Sequence, residues 1–185
     1  MKTVVVNFIG SPSAGKTTMC ALLFAELKML HQSVEIVPEF AKRLVWLERF
    51  DLLNNQHYVT SKQYRYLKSM KGKVRFILTD GSLLLGIHYN KSNKNNICNV
   101  VKLEGQIIEW INDFDNIYIH LERGEYEYDQ AGRIETEQES NQVNLELIKI
   151  MDNLGVQYKS YKSDRKHIPE ILDHVLGSTS SDSVS

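Results

Sequence analysis

Short runs of apolar residues alternate along the chain with longer segments in which apolar side chains recur at helical spacing. Such runs are typical of strands buried on both faces of a parallel sheet. Strands are predicted at residues 3–9, 34–37, 74–79, 116–121 and 157–161. Helices are predicted at residues 18–30, 39–53, 57–70, 82–89, 100–112, 140–154 and 168–176. The alternation predicts an α/β fold with a doubly wound, mainly parallel five-stranded sheet, helices on both faces and ligands at the carboxyl ends of the strands.

The chain of 185 residues is expected to form one domain over residues 1–176. Residues 90–96 (NKSNKNN) are a predicted polar loop. Residues 123–139 form a polar, charge-dense segment that follows a strand, and they are a predicted lid with Gly124 and Gly132 as hinges. Residues 177–185 (GSTSSDSVS) are too polar to pack and are predicted to be a disordered tail.

Composition and charge give no global argument for a membrane or nucleic-acid partner, because the net charge is -1 and 42% of the residues are hydrophobic. Cys20 and Cys98 lack the spacing of a metal site or a disulfide framework, and the six histidines are scattered. The sequence shows neither a signal peptide nor an apolar run long enough to span a membrane. We therefore expect a cytoplasmic protein.

The strongest motif is Gly10-Ser11-Pro12-Ser13-Ala14-Gly15-Lys16-Thr17, placed between the first strand and the first helix. This G-x-x-x-x-G-K-T pattern in that context predicts a phosphate-binding P-loop, since successive backbone N–H groups and the helix N-terminus converge on one anion. The alternative is a chance match in a Gly/Ser turn. The predicted nucleotide-binding residues of this segment are Gly10, Ser11, Ser13, Ala14, Gly15, Lys16, Thr17 and Thr18. The motif predicts a P-loop NTPase fold that binds ATP.

Two further strand ends are predicted to lie near this loop. Asp80 follows the strand at 74–79, which is the usual Walker-B position, so Asp80 and the Thr17 hydroxyl are predicted to hold Mg²⁺. A helix N-cap is a second interpretation of Asp80, and the two are compatible. Glu39 follows the second strand, where a phosphotransferase needs a base facing its acceptor. Its simpler interpretation is a favourable charge in the first turn of a helix. We predict Glu39 as the base, with Asp80 as metal ligand and as a possible second base.

Lys16 would bridge the outer phosphates, and arginines of the lid would stabilise the charge that develops during phosphoryl transfer. Arg133 is the predicted catalytic arginine, and Arg123 is predicted to stack on the nucleotide base. Both arginines can instead pair with neighbouring glutamates. Arg43 lies one helical turn beyond Glu39, so it either faces the acceptor or forms a surface pair with Glu39.

The basic and aromatic run at residues 62–75 has two interpretations. It can follow a nucleic-acid backbone while Tyr64 or Tyr66 stacks on a base, or it can be the solvated face of an amphipathic helix.

The segments GSPSAGKTT, VPEFAKR, LTDGS and YEYDQAGRIE together resemble the small P-loop kinases of the thymidylate-kinase-like and nicotinamide-ribose-kinase-like set, and phage proteins described as AAA-type ATPases. The resemblance covers most of residues 3–176 and also implies the base role of Glu39. One departure is Gly81, where those kinases often carry an arginine after the acidic residue. The contacts of that arginine would then shift to Arg43 or Arg133.

These observations predict an ATP- and Mg²⁺-dependent kinase with a nucleoside-type acceptor. Some phage kinases of this set phosphorylate the 5-hydroxymethyl group of modified uracil in DNA, which is the leading specific acceptor here. A free nucleoside, a deoxynucleotide or nicotinamide riboside is the alternative acceptor. A different class, an NTP-hydrolysing switch or binding module, stays open, as does the oligomeric state, a dimer included.

Overall fold

Five parallel strands form the central sheet of the protein, in a computed structural model that describes residues 1–125, 127–128 and 136–178. The strands are β1 (Val4–Ile9), β2 (Val34–Ile36), β3 (Phe76–Thr79), β4 (Asp115–Glu122) and β5 (Tyr158–Lys162). Their order is β2-β3-β1-β4-β5, and each pairing is parallel. The predicted α/β fold of the P-loop NTPase type, with a five-stranded parallel sheet, is confirmed.

Eight α-helices cover the sheet in the described part of the chain. They are α1 (Lys16–Met29), α2 (Phe40–Trp46), α3 (Phe50–Leu53), α4 (Gln56–Met70), α5 (Leu83–Ser92), α6 (Val100–Asn112), α7 (Glu137–Asn153) and α8 (Ile168–Gly177). Helices α1 and α8 pack on one face of the sheet and enclose a core that includes Phe8, Leu23 and Phe76. Helices α4 to α7 pack on the other face around Ile77 and Ile107. Burial of both faces accounts for the nearly continuous apolar runs of the strands.

The strand register brings three functional loops to one edge. In the pairing of β1 with β3, Asn7 lies opposite Thr79, and Ile36 of β2 lies opposite Leu78. The chain leaves all three strands at their carboxyl ends, so the segments that begin at Gly10, Val37 and Asp80 emerge side by side. This is the edge at which ligands bind in open α/β sheets.

The prediction of one continuous helix at residues 39–53 is wrong. Helix α2 ends at Trp46, and α3 begins only at Phe50. Between them Glu48 adopts a left-handed φ of 53°, and the N–H of Arg49 donates to the carbonyl of Leu44 at 2.9 Å. This is the hydrogen-bond pattern of a Schellman ending, which usually requires glycine. The break was not visible in the sequence because glutamate occupies the glycine position.

The predicted polar loop at residues 90–96 begins later than expected, because α5 continues to Ser92. Asn90 is buried, and its side-chain amide donates to the carbonyl of Val100 at 2.8 Å, while Asn96 donates to the Asn90 side chain at 2.9 Å. The hydrogen bonds of Asn90 and Asn96 therefore anchor this turn to α6.

The boundaries near the carboxyl terminus also differ from the prediction. Helix α7 begins at Glu137, inside the lid predicted at residues 123–139, and Gly177 belongs to α8 and not to the tail predicted at residues 177–185. Residues 126, 129–135 and 179–185 lie outside the described part of the structure, and with them most of the predicted lid and tail. None of the described helices is long and apolar enough to cross a membrane.

Candidate functional site

The P-loop connects β1 to α1 through two residues in the left-handed region. Ser13 has a φ of 63°, and Gly15 has a φ of 78° directly before the first helical residue, Lys16. A Cβ at Gly10 would lie 2.7 Å from the carbonyl oxygen of Leu121 on β4, so glycine is required there as well. The sequence therefore forms a tight anion-binding turn at the helix N-terminus, where backbone N–H groups and the helix dipole favour phosphate.

The side chain of Lys16 is folded back over this turn. Its Nζ donates hydrogen bonds to the carbonyl oxygens of Gly10 and Ser11, both at 2.9 Å. The loop thus holds the ammonium group on the same side as the helix N-terminus. A phosphate bound there would meet a positioned cation in addition to the backbone donors.

Asp80 connects the three strand ends. It is 4% exposed, and its Oδ2 accepts a hydrogen bond from Thr17 Oγ1 at 2.5 Å while its Oδ1 accepts from the backbone N–H of Glu39 at 2.9 Å. The N-cap of α5 is Ser82, whose Oγ accepts from the N–H of Leu84, so the N-cap interpretation of Asp80 is wrong. The structure brings Asp80 and Thr17 together, as the sequence predicts.

The pairing of a hydroxyl with a carboxylate fits a magnesium site. In the described residues no group of three or more His, Cys, Asp or Glu side chains could hold a metal ion. Mg²⁺ in phosphotransferases takes one or two protein oxygens together with phosphate oxygens and water, so Thr17 and Asp80 supply enough protein ligands for such a site.

Glu39 is the N-cap residue of α2, but its side chain makes no capping hydrogen bond. The backbone around it is held on both sides. Asp80 accepts from the Glu39 N–H, and Gln63 of α4 accepts from the N–H of Phe40 at 2.9 Å. Gln63 also donates to Thr79 Oγ1 at 3.2 Å, which ties α4 to the end of β3. The carboxylate of Glu39 is half-buried and lines the cleft beside the P-loop.

The structure gives a steric reason for the glycine at position 81. A Cβ at this position would lie 2.7 Å from the Cα of Glu39, 2.9 Å from its Cβ and 3.1 Å from Nε2 of Gln63. Contacts this short with backbone cannot be relieved by a rotamer change. The close approach of the two loops therefore excludes an arginine at position 81.

We expect Gly81→Ala to lower turnover by ~10-fold or more, because displacing the Glu39 backbone by even 1 Å misaligns a reacting group. Affinity for ATP, measured by titration calorimetry, should stay within about two-fold, since the atoms nearest to a Cβ at position 81 belong to Glu39 and Gln63 and not to the P-loop. Gly105→Ala is the matched control, because a Cβ at Gly105 meets no atom within 4 Å. Equal loss in both variants would contradict this role of Gly81.

A cleft of about 890 Å³ opens between the P-loop, α2 to α5 and α7. Its lining includes Lys42 but not Arg43, which is exposed outside it. Of the two interpretations of Arg43, the one in which it shares a cleft with Glu39 is therefore wrong, because α2 directs Lys42 and not Arg43 toward the cleft. The amides and hydroxyls of Gln56, Thr60 and Gln63 form the wall of the cleft on α4.

The two predicted lid arginines have different outcomes. Arg133 lies outside the described residues, so its catalytic role stays a prediction. Arg123 forms an ion pair with Glu137 at the start of α7, and its guanidinium lies 5.9 Å from the ring centroid of Tyr128. It is not among the residues that line the cleft. The pairing with a neighbouring glutamate that the sequence left open is the arrangement the structure has for Arg123.

Two contributors to the site were missed from the sequence, Gln63 and Ser140. The Ser140 hydroxyl, at the start of α7, donates to the carbonyl of Pro12 in the P-loop at 2.7 Å and is fully buried. Both residues are polar positions within amphipathic helices, and the only signal was a polar side chain on a face that is otherwise apolar. Their partners are 16 and 128 residues distant along the chain.

Cys20 lies behind the site and takes no part in its chemistry. Burial and the nearby Asp80 carboxylate both raise the pKa of its thiol far above the usual range. A thiol in that state is not a nucleophile at neutral pH.

Comparison with known proteins agrees with this geometry. A family model described as "AAA domain" matches residues 5–167. The comparison with curated proteins gives no match. Among solved structures, a NadR protein in complex with NAD and AMP-PNP is similar with a TM-score of 0.68 and 19% sequence identity. The similarity covers 95% of this chain and 49% of the other, so the chain spans about half the length of that protein. At this identity the likeness establishes the fold.

Proposed function

The chain belongs to the AAA domain family, and we propose that it is an ATP-dependent kinase that transfers the γ-phosphoryl group to a nucleoside-type acceptor. The observation that carries the proposal is the pair of hydrogen bonds made by Asp80, which joins the hydroxyl of Thr17 to the backbone of Glu39. Through it, a carboxylate that faces an open cleft is fixed beside a phosphate-binding loop. The cleft extends from the P-loop along α4 and α5, which supports an acceptor site beside the nucleotide.

In this mechanism the backbone N–H groups of residues 10–18 and the Lys16 ammonium orient the triphosphate. Thr17 and Asp80 are the residues that would hold Mg²⁺, which supplies neutralisation of charge on the β- and γ-phosphate oxygens. Glu39 accepts the proton of the acceptor hydroxyl as that oxygen attacks the γ-phosphorus. The bond from the γ-phosphorus to the β–γ bridging oxygen breaks in the same step, and ADP leaves with the electron pair on that oxygen. Arg133 is the proposed cation that stabilises the equatorial oxygens of the transferred phosphoryl group.

The acceptor proposed first is the 5-hydroxymethyl group of hydroxymethyluracil in phage DNA, which would make the protein a DNA-modifying enzyme. An amide- and hydroxyl-lined wall suits a base edge, because Gln56 and Thr60 can exchange hydrogen bonds with ring carbonyls and imides. Free nucleosides, deoxynucleotides and nicotinamide riboside are the alternatives. The NAD and AMP-PNP bound by the similar NadR structure give the last of these its support.

Transfer of radiolabelled phosphate from γ-labelled ATP tests the proposal. The acceptor panel contains hydroxymethyluracil DNA in single- and double-stranded form, free nucleosides, deoxynucleotides and nicotinamide riboside. We expect label on at least one acceptor, with unmodified thymine DNA as the negative control. Label that appears only as free phosphate with every acceptor would contradict the kinase proposal and favour the NTP-hydrolysing switch.

A further inference from the structure

Helices α2 and α4 carry basic side chains but no acidic ones. Residues 40–46 contain Lys42 and Arg43, and residues 56–70 contain Lys62, Arg65 and Lys68, while neither helix has an Asp or a Glu. The other described helices of more than ten residues, α1, α6 and α7, each carry both signs of charge. The solvated face of an ordinary amphipathic helix mixes its charges in that way. In a chain of net charge -1, two adjacent helices with five cations and no acid require another explanation.

Most of these cations have no acidic partner in the part of the chain that the structure describes. Within the described residues, Arg43 and Arg65 form no ion pair and are exposed, and Lys62 lies 5.7 Å from the ring centroid of Tyr58. Lys68 differs, because it forms an ion pair with Asp113 at 2.7 Å on the side of α4 that faces α6. The free positive charge is therefore concentrated on the outer side of the two helices.

Aromatic side chains occupy the same side. The ring of Phe40 lies between Tyr58 and Tyr66 with centroid distances of 5.8 and 6.1 Å, which joins α2 to α4 in one ridge. Tyr66 is 43% exposed, and Trp46 at the end of α2 is 63% exposed. A large aromatic ring left in water beside unpaired cations is the composition of surfaces that bind single-stranded nucleic acid, where bases stack on rings and cations follow the phosphates.

We propose that the surface formed by Arg43, Trp46, Lys62, Arg65 and Tyr66, the α2–α4 surface, binds a single-stranded polynucleotide. Charge complementarity selects this occupant over a second copy of the chain. A copy would place like charges against each other across a two-fold interface. A duplex fits less well, because its bases are not free to stack on exposed rings.

The position of the α2–α4 surface connects it to the cleft. Phe40, in the ridge, directly follows Glu39, and Lys42 lines the cleft while Arg43 is outside it. A strand lying on the outer side of α2 can therefore insert one nucleotide past α2 toward Glu39. This step rests on the proposed function, whereas binding of the strand itself does not.

Fluorescence anisotropy with a labelled 15-nucleotide oligo-dT tests the surface without ATP or catalysis. We expect binding at low salt with an affinity that falls as salt rises. Arg43→Gln combined with Arg65→Gln should weaken binding ~10-fold or more and lower the salt slope by about 1.4, at ~0.7 per phosphate contact in single strands. Tyr66→Ala should weaken binding by ~5- to 100-fold, and Tyr66→Phe should retain most of the affinity because stacking needs only the ring.

The matched control is Lys149→Gln combined with Lys159→Gln, which removes the same charge from exposed positions on α7 and β5. The affinity of this control variant for oligo-dT should change less than three-fold. The melting temperature and the affinity for ATP are measured for every variant, and both should show that it is folded. Absence of binding at 50 mM salt, or equal weakening by both double variants, would overturn the proposal. So would sedimentation that shows a dimer dissociated by Trp46→Ala. If the protein transfers phosphate to a free nucleoside but does not bind oligo-dT, only the proposal for the α2–α4 surface is overturned. If it binds oligo-dT but transfers phosphate to no acceptor, only the kinase proposal is overturned.

Discussion

Replacing Lys16 with alanine is expected to lower nucleotide-dependent phosphate transfer by ~10³-fold, the largest effect of any single substitution in this chain. The ammonium is held over the P-loop by the carbonyls of Gly10 and Ser11, so its position is fixed before the nucleotide arrives. In other enzymes, a preorganised hydrogen-bond donor that faces developing negative charge contributes ~10²–10³ in rate. A positively charged donor stabilises a phosphate more strongly than a neutral donor does. The rate of γ-phosphate transfer at saturating ATP and the affinity for ATP are the two measurements.

Lys28→Ala is the matched control, because Lys28 lies on the same helix but pairs with Glu35 at 3.2 Å on the surface. It should keep normal transfer and ATP affinity. Circular dichroism and the melting temperature should be close to wild type in both variants, since Lys16 packs against a loop and not within the core. A fully active Lys16→Ala protein would remove the assignment of residues 10–17 as a phosphate-binding loop.

The parts of the site that were predictable from the sequence are those set by short-range patterns. Strand β1, the turn at residues 10–17 and helix α1 follow one another directly, and the turn chemistry of Gly15 is local. Asp80 could be placed because parallel strands end at the same edge of the sheet, whichever order they take. The strand order itself was not predicted, since apolar runs of similar length do not indicate which neighbours pair.

The remaining parts depend on contacts between distant segments. That Gly81 must be glycine follows only from the approach of Glu39, 42 residues earlier in the chain, and no local pattern indicates it. The orientation of α2 decides that Lys42 and not Arg43 faces the cleft. Helical spacing counted from Glu39 indicated Arg43 instead, because Glu39 is the N-cap residue and not part of the helix. Arg123 was assigned to the nucleotide, but the start of α7 supplies Glu137 as its partner.

These contacts also connect the P-loop with the segment that carries the proposed base. Asp80 holds Thr17 with one carboxylate oxygen and the N–H of Glu39 with the other. Any rearrangement of Thr17 on nucleotide binding is therefore transmitted through a single buried side chain to the segment that carries the proposed base. Ser140 connects the P-loop to α7 in the same way, because its hydroxyl donates to the carbonyl of Pro12.

Glu39→Gln separates chemistry from binding and is expected to lower turnover by ~10²-fold or more, as loss of a general base does. Glutamine keeps the size of the side chain and the backbone N–H that Asp80 accepts, so the fold of the loop and the affinity for ATP should be unchanged. The amide cannot take up the acceptor proton at neutral pH. Measured in single turnover with the preferred acceptor, the loss should appear in the transfer rate and not in acceptor affinity.

Glu35→Gln is the control for this substitution, since Glu35 lies in β2 and pairs with Lys28 on the surface. Glu39→Asp should recover part of the rate, because a shorter carboxylate still accepts a proton through a less favourable geometry. Wild-type turnover in Glu39→Gln would assign the residue to the electrostatics of α2 and leave Asp80 as the carboxylate nearest the acceptor.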